Sequence, residues 1–209
     1  MRWDLRAVGP DFYDTARCQY RHTARLLQPP ERVFDAIAGD PAGWGHWFPG
    51  FDHSGRWLST PPHGAGSRRA VRMAGIAYEE TVLVWDPPRR FAFRLDRAGA
   101  PIAYALAEDY RIAGDPAGST LEWTFALEPR PAMRPAMRLA PSLLGPILRR
   151  AAAHLDRYLA DDPGVVEDSR GLPPGHAVGL GRDGDGGGDG PPDAGGENAG
   201  NDLLGPQVV

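Results

Sequence analysis

The chain has 209 residues, 42% of them apolar, and a formal net charge of −4, which suits one domain with one buried core. Ten acidic residues against two arginines from 161 to 209 leave residues 1–160 at a net +4. The single cysteine, Cys18, excludes an internal disulfide framework, and the absence of a signal-like apolar run or a bilayer-length segment predicts a cytoplasmic protein with no membrane span.

Residues 1–14 show no hydrophobic period and read as an arm ahead of a domain at 15–160. From Cys18 onward, Cys18, Tyr20, His22, Ala24 and Leu26 alternate with Gln19, Arg21, Thr23 and Arg25, the pattern of a strand with one dry side. Pro29 and Pro30 end it. Pro30 to Ala38 predicts a short helix with proline at its start and Gly39 behind it. Asp40-Pro41 then caps a second helix, in which Trp44 and Trp47 lie one turn apart. Phe51 to Ser59 is a weak strand and Pro61 to Gly66 a loop.

Strand follows strand from there. Arg69, Val71 and Met73 alternate with Arg68, Ala70 and Arg72, and Gly75 turns the chain into Ile76–Trp85. After the turn Asp86-Pro87-Pro88, Phe91, Phe93 and Leu95 form one phase. Next come Tyr104, Leu106, Glu108, Tyr110 and Ile112, and then Leu121, Trp123, Phe125 and Leu127. Turn residues at short intervals argue for an antiparallel meander with one wet and one dry face.

Met133 to Ala160 carries a broad helical stripe in which Met133, Met137, Ala140, Leu143, Leu144, Ile147, Leu148, Ala151, Leu155, Tyr158 and Leu159 share a side, while Arg138, Arg149, Arg150, Asp156 and Arg157 take the other. Pro141 and Pro146 allow two starts. Either regular helix begins at Pro146, or it begins earlier and kinks there. The doubled unit Arg130-Pro131-Ala132-Met133 and Arg134-Pro135-Ala136-Met137 reads as the linker feeding it. From Asp161 the chain loses its aromatic residues and becomes rich in glycine, aspartate and proline, so residues 161–209 are expected to be a disordered acidic tail. The element order predicts an α+β fold, an antiparallel sheet of about seven strands (β-α-α-β6-α) folded around one long C-terminal helix.

Trp44-Gly45-His46-Trp47-Phe48-Pro49-Gly50, placed after a short helix, resembles the tryptophan-rich second helix of the SRPBCC superfamily, the START-like or helix-grip proteins. Gly64-Ala65-Gly66-Ser67-Arg68-Arg69-Ala70-Val71, then Glu79-Glu80-Thr81-Val82 and Trp85-Asp86-Pro87-Pro88-Arg89-Arg90-Phe91, are similar to its polyketide cyclase/dehydrase and lipid-transport branch. The resemblance spans Thr15 to Ala160. It implies the helix-grip fold, a curved antiparallel sheet wrapped around the C-terminal helix with a cavity for a hydrophobic small molecule between them, and leaves cyclase, carrier and sensor open.

Such a cavity has a physical cost. Roughly 400 Å³ of rigid dry void would cost on the order of 10 kcal/mol at about 24 cal/mol per Å³, comparable to a whole domain's stability, so relaxation of the wall, water or a ligand is expected to fill it. The dry-face phases offer polar wall groups in His22, Arg69 and Glu108, with the phenols of Tyr20, Tyr104 and Tyr110 in phase. Val71, Met73, Phe93, Leu106, Trp123, Phe125, Met137, Leu144 and Leu148 supply apolar wall, and Trp44, His46 and Trp47 form either a lid or packing. Arg69 and Glu108 read most simply as a structural ion pair. The catalytic alternative has Arg69 holding an enolate or carboxylate while Glu108 or a tyrosine such as Tyr104 moves a proton.

Gly64-Ala65-Gly66 lacks the third glycine of a dinucleotide loop, so no cofactor is expected. The six histidines show no paired spacing for a metal, and Asp183 to Asp189 lacks the closing glutamate of a calcium loop. Arg68, Arg69, Arg72, Arg89, Arg90 and Arg94 divide between strand faces, which argues against nucleic acid. Three readings follow: binding of a polyketide-, lipid- or aromatic-like molecule, cyclisation or dehydration of a poly-β-keto chain, and partner binding through the acidic tail or the arginine face of the last helix. No pattern specifies an oligomeric state.

Overall fold

The computed structural model describes residues 2–161 and, within the last helix, the backbone alone at 136–141 and 143. The elements are β1 (Trp3–Asp4), α1 (Phe12–Thr15), β2 (Cys18–Leu26), α2 (Pro30–Phe34, continued by a π turn Asp35–Gly39), α3 (Trp44–Trp47), β3 (Arg56–Trp57), β4 (Arg68–Met73), β5 (Ile76–Asp86), β6 (Arg90–Ala98), β7 (Ala103–Asp115), β8 (Gly118–Pro129), a 3₁₀ turn Pro131–Met133 and α4 (Arg134–Asp161). One antiparallel sheet runs in the order β2-β8-β7-β6-β5-β4-β3, with β1 added beside β6. This is the helix-grip arrangement, an α+β fold in which a meander curves around the last helix.

Register explains how the inner face is assembled. Phe91, Tyr110, Trp123 and His22 pair across four neighbouring strands, and Val82, Phe93, Glu108, Phe125 and Tyr20 form the adjoining row. Aromatic neighbours along such rows are the unit of sheet stabilisation. Register shifts fall between Glu79 and Glu80, between Val82 and Val84, and between Ala103 and Ala105. Bulges of this kind increase local bend and twist, which helps a meander to curve.

The last helix takes the earlier of its two starts. Pro131–Met133 is a 3₁₀ turn that leads straight into helix at Arg134, so the second half of the doubled unit is helical and Pro141 and Pro146 both lie inside α4. Leu148, Ala151, Ala152, Leu155 and Leu159 are buried against the sheet and the short helices. Asp156 also accepts a bond from the Leu27 backbone N–H at 2.8 Å, which ties α4 to the end of β2. The weak strand at Phe51–Ser59 reduces to Arg56–Trp57 and one bridge from Phe51 to Met73.

The opening segment is not a free arm. Trp3 and Asp4 pair with Ala98 and Arg97, the Leu5 N–H donates to Asp96 and the Arg6 N–H to the Tyr104 carbonyl. Val8, Phe12, Tyr13 and Ala16 are buried on the convex side of the sheet against Ala92, Ala105, Ala107 and Ala126. Four alanines in the phase expected to be wet leave a shallow trough that large side chains must fill. Burial of each large apolar side chain is worth about 1.5–3 kcal/mol, which outweighs the segment's lack of period. The expectation for residues 162–209 lies outside the described residues.

Candidate functional site

A cavity of about 290 Å³ lies between the concave face and α4. Its floor is Leu95 of β6, Leu106 and Glu108 of β7, and Trp123 and Phe125 of β8. Tyr78 and Glu80 of β5 form one side, and Leu144, Ile147 and Leu148 of α4 the roof. Trp44 and the Phe48–Phe51 stretch close one end, with Met73 and Ala74 of the β4–β5 turn at the rim. Ile147 stays 43% exposed, so α4 presents an apolar lip to solvent. Filling such a space with nothing would cost about 7 kcal/mol at 24 cal/mol per Å³; a guest or water relieves that cost.

The wall is aromatic because the helix after β2 delivers tryptophan to it. The Trp44 Nε1 donates to the Ile37 carbonyl at 2.9 Å, which fixes the indole. Its ring then meets Trp47 at 4.8 Å, Phe51 at 5.0 Å and Tyr110 at 5.8 Å. Trp44 and Trp47 are both 1% exposed, so they pack the core and only Trp44 contributes wall. His46 is the outward residue of the trio. It stacks on Tyr158 of α4 at 5.3 Å with rings nearly parallel and meets His53 at 4.5 Å.

Two carboxylates enter this apolar wall, and they are held differently. Glu80 is paired with Arg69, whose Nε donates to its Oε2 at 2.6 Å. The Arg69 guanidinium sits over the rings of Phe93 at 4.5 Å and of Trp44 and Phe91 at 5.0 Å each. With 1% exposure, Arg69 lies behind the wall and does not line the cavity. Burial pushes the Glu80 carboxyl up, and Arg69 opposes that rise. The ion pair predicted for Arg69 and Glu108 is thus corrected: on β4 and β5, Arg69 and Glu80 are directly opposed partners in the register, and proximity across strands outweighs phase along the chain.

Glu108 has no arginine on it. Its Oε2 accepts the Tyr110 hydroxyl at 2.5 Å and the Trp123 Nε1 at 3.0 Å, while no described residue is hydrogen-bonded to Oε1. Burial pushes its carboxyl from the ordinary 4.5 up to about 7; Glu80 adds to the rise, and the two hydrogen bonds and Arg69 oppose it. The same environment holds the Tyr110 phenol well above its usual range, through burial first and then Glu108. Tyr78 is raised by burial and by the same two glutamates, which places its phenol in their field.

Of the residues expected at the site, Trp44, Met73, Leu106, Glu108, Trp123, Phe125, Leu144 and Leu148 line the cavity. Phe93 and Tyr110 are buried one layer behind, and Val71 belongs to the core on the β4 side. His22 lies on β2 opposite Trp123, away from the cavity; burial and Arg149 lower its pKa. Tyr104 is corrected: it is the extra residue at the register shift between Ala103 and Ala105, is 42% exposed, and lies under the Arg130 guanidinium at 4.7 Å. The Met137 side chain lies outside the described residues. Glu80, Tyr78, Phe48 and Phe51 were not anticipated, although Ile76, Tyr78, Glu80 and Val82 share a phase that the β5 run already displayed.

Comparison with known proteins agrees with this geometry. Residues 17–160 match the family described as polyketide cyclase / dehydrase and lipid transport. An uncharacterized protein of Mycobacterium tuberculosis is 38% identical over 152 residues, 72% of this chain and 90% of that protein, and one of Mycobacterium bovis matches to the same extent. A START superfamily protein from Mycobacterium smegmatis superposes with a TM-score of 0.56 at 15% identity, covering 68% of this chain and 97% of that one. The di-domain ARO/CYC BexL from the BE-7585A biosynthetic pathway superposes at 0.53 with 17% identity, over 70% of this chain and 51% of its own. Across two thirds of its length, in sequence and in the sheet that grips α4, this chain belongs to the polyketide cyclase/dehydrase and lipid transport family of the SRPBCC superfamily.

Proposed function

We propose that this domain binds a hydrophobic small molecule in the cavity between sheet and α4, and that Glu108 orients it. The observation that carries the reading is the composition of the wall: aromatic and aliphatic side chains surround about 290 Å³, interrupted by a carboxyl group with one oxygen not bonded by any described residue. That volume is at the low end of the roughly 300–1,000 Å³ typical of small-molecule sites, where a mostly apolar wall gives affinity and a few polar groups fix orientation. A compact aromatic or short polyketide-like guest fits better than a long acyl chain. Leu106→Trp tests the site directly. An indole projecting from the floor of the cavity removes the space for a guest, so hydrophobic compounds that raise the melting temperature of the native protein should leave the variant unmoved. Equal shifts in both proteins place binding elsewhere.

Acid–base chemistry on the guest is the second reading, in keeping with the cyclase/dehydrase alternative. It is favoured by the Glu108 carboxyl at about 7, since proton transfer is most efficient when the group's pKa lies near the working pH. Glu108 then takes a proton from carbon next to a ligand carbonyl and returns it to the oxygen that leaves as water. Arg69, sealed behind Trp44, Phe91 and Phe93, does not reach an enolate in this arrangement. A Glu108→Gln protein that binds a poly-β-keto analogue normally and still dehydrates it would remove this reading.

A further inference from the structure

The cavity wall carries two carboxylates and, among its described lining residues, no arginine, lysine or histidine. The nearest guanidinium, Arg69, is withheld from a guest in three ways. Its Nε is committed to Glu80, three aromatic rings cover its planar faces, and its side chain is 1% exposed. The whole chain contains no lysine. Among the described side chains, a molecule entering this space meets negative or neutral oxygen atoms and aromatic faces, while Arg69, whose Nη1 has no hydrogen-bond partner, is sealed behind the rings.

We propose that the cavity selects against anionic ligands, and that it takes an apolar guest whose polar end is a hydrogen-bond donor, a hydroxyl or an amine, bonded to Glu108 Oε1. This rests on the reading of the cavity as the ligand site and adds the chemical class of the guest. The physical case is direct. Tyr110 and Trp123 both donate to Oε2, which fixes the plane of the carboxyl and leaves Oε1 as the acceptor for an incoming donor. The Arg69–Glu80 pair is neutral as a unit, so at pH 8, where Glu108 is ionised, a carboxylate guest would set a second negative charge directly beside Glu108. Two like charges held close together away from bulk water repel strongly, which discriminates against the anion. Free fatty acids and aromatic acids are therefore excluded, while phenols, alcohols and amines of the same skeleton are admitted. Tyr78, whose phenol lies in the field of both glutamates, adds a second neutral polar group to the same wall.

A matched probe series on the full chain at pH 8, measured by titration calorimetry, decides the matter: naphthalene, 2-naphthol, 2-(aminomethyl)naphthalene and 2-naphthoate. The wild type should bind the naphthol and the amine more tightly than naphthalene, and the naphthoate more weakly than naphthalene and at least about tenfold more weakly than the naphthol, a difference of about 1.4 kcal/mol. In Glu108→Leu the preference for the naphthol should vanish and the naphthoate should gain. In Glu108→Gln, whose oxygen stays with Tyr110 and Trp123 and whose amide NH2 replaces the acceptor Oε1 with a donor, the amine and the naphthol should both lose their advantage over naphthalene. Wild-type binding of naphthoate as tight as that of naphthalene overturns the proposal and leaves the cavity as an unselective apolar site. Failure of all four probes to bind overturns the ligand site itself, and the selectivity falls with it.

Discussion

Glu108 is a residue whose preferred charge changes when the chain folds, and that change sets a sign for the pH dependence of stability. With the folded carboxyl at about 7 against an ordinary 4.5, the folded state holds a proton that the unfolded state releases between those two values. Stability from this group is therefore fully present below about 4.5, falls as pH rises, and is lost above about 7. The difference amounts to at most about 3–4 kcal/mol, and less because the side chain is only partly buried. Glu108→Gln keeps an oxygen for Tyr110 and Trp123 without the titration, so its melting temperature should vary less than the wild type's between pH 5 and 8 and exceed it at pH 8. Parallel profiles would show that the carboxyl is not desolvated. Arg69 makes the opposite demand. Removing it leaves Glu80 buried without its cation, so Arg69→Ala should cost about 3–5 kcal/mol, whereas Arg69→Met combined with Glu80→Leu should cost much less, because an apolar pair of similar volume needs no desolvation. Chemical denaturation of the two variants measures both. These residues also mark where reading from the sequence stops. Strand phase alone put Arg69 and Glu108 on the inner face, and there they are, but phase carries no information about which strand lies beside which. Only the register brings Arg69 to Glu80, and only the extra residue at Tyr104 turns that phenol away from Leu106 and Glu108.

Among the elements, the strands of the meander were legible because one face of each is packed and the other mostly is not, which writes a period of two into the chain. The expected cap at Asp40-Pro41 is corrected: α3 starts behind Gly43, and the Asp40 carboxylate accepts the Ala42 N–H in the turn ahead of it. The first short helix was legible through Pro30 and the second through the spacing of Trp44 and Trp47. The N-terminal segment was not, because its partner surface is a set of small residues, Ala92, Ala105, Ala107 and Ala126, spread over three strands and recognisable only once those strands are adjacent. The start of α4 was ambiguous for a related reason: proline tolerance inside a helix is decided by tertiary packing and not by the local sequence. The β4–β5 hairpin at the cavity rim offers an element-scale prediction. Met73 pairs with Ile76, so two residues make the turn, and both have positive φ, Ala74 at 50° and Gly75 at 79°. That is the turn in which Asn-Gly is the preferred pair, and a side chain at Ala74 bears a left-handed backbone it tolerates poorly. Ala74→Asn should stabilise the protein by about 0.5–1 kcal/mol, measured as a shift in the denaturation midpoint with unchanged slope; a loss of stability would mean that the new side chain clashes at the rim.

At the scale of the molecule, the sheet and α4 are held apart by an aromatic layer rich enough to fix the geometry and incomplete enough to leave about 290 Å³ beside it. Trp44, Tyr110 and Trp123 brace the floor through ring contacts of 5.8 and 4.7 Å, while α4 docks mainly through Leu148, Ala151, Leu155 and Leu159 and leaves Leu144 and Ile147 over the cavity. Among the described side chains, the grip is consequently firm from Leu148 to Leu159 and shared with a guest at Leu144 and Ile147. Leu155 has 0% exposure and no part in the cavity, so Leu155→Ala should cost about 2–5 kcal/mol whether or not a ligand is present. Leu148→Ala should cost less in the presence of a guest than in its absence, because a bulkier member of a ligand series can occupy the methyl groups' place. The coupling is a mass-action effect: a ligand at about 100 times its dissociation constant stabilises the folded state by about 2.7 kcal/mol, worth roughly 5–10 °C in a domain of this size at about 2–4 °C per kcal/mol. Melting temperatures of wild type, Leu148→Ala and Leu155→Ala, each titrated with naphthalene and a three-ring homologue, separate the two roles. Rescue of Leu148→Ala by the larger compound, with none for Leu155→Ala beyond the wild-type shift, fits a cavity shared between helix and guest; equal rescue of both would mean that the ligand stabilises the fold without contacting α4.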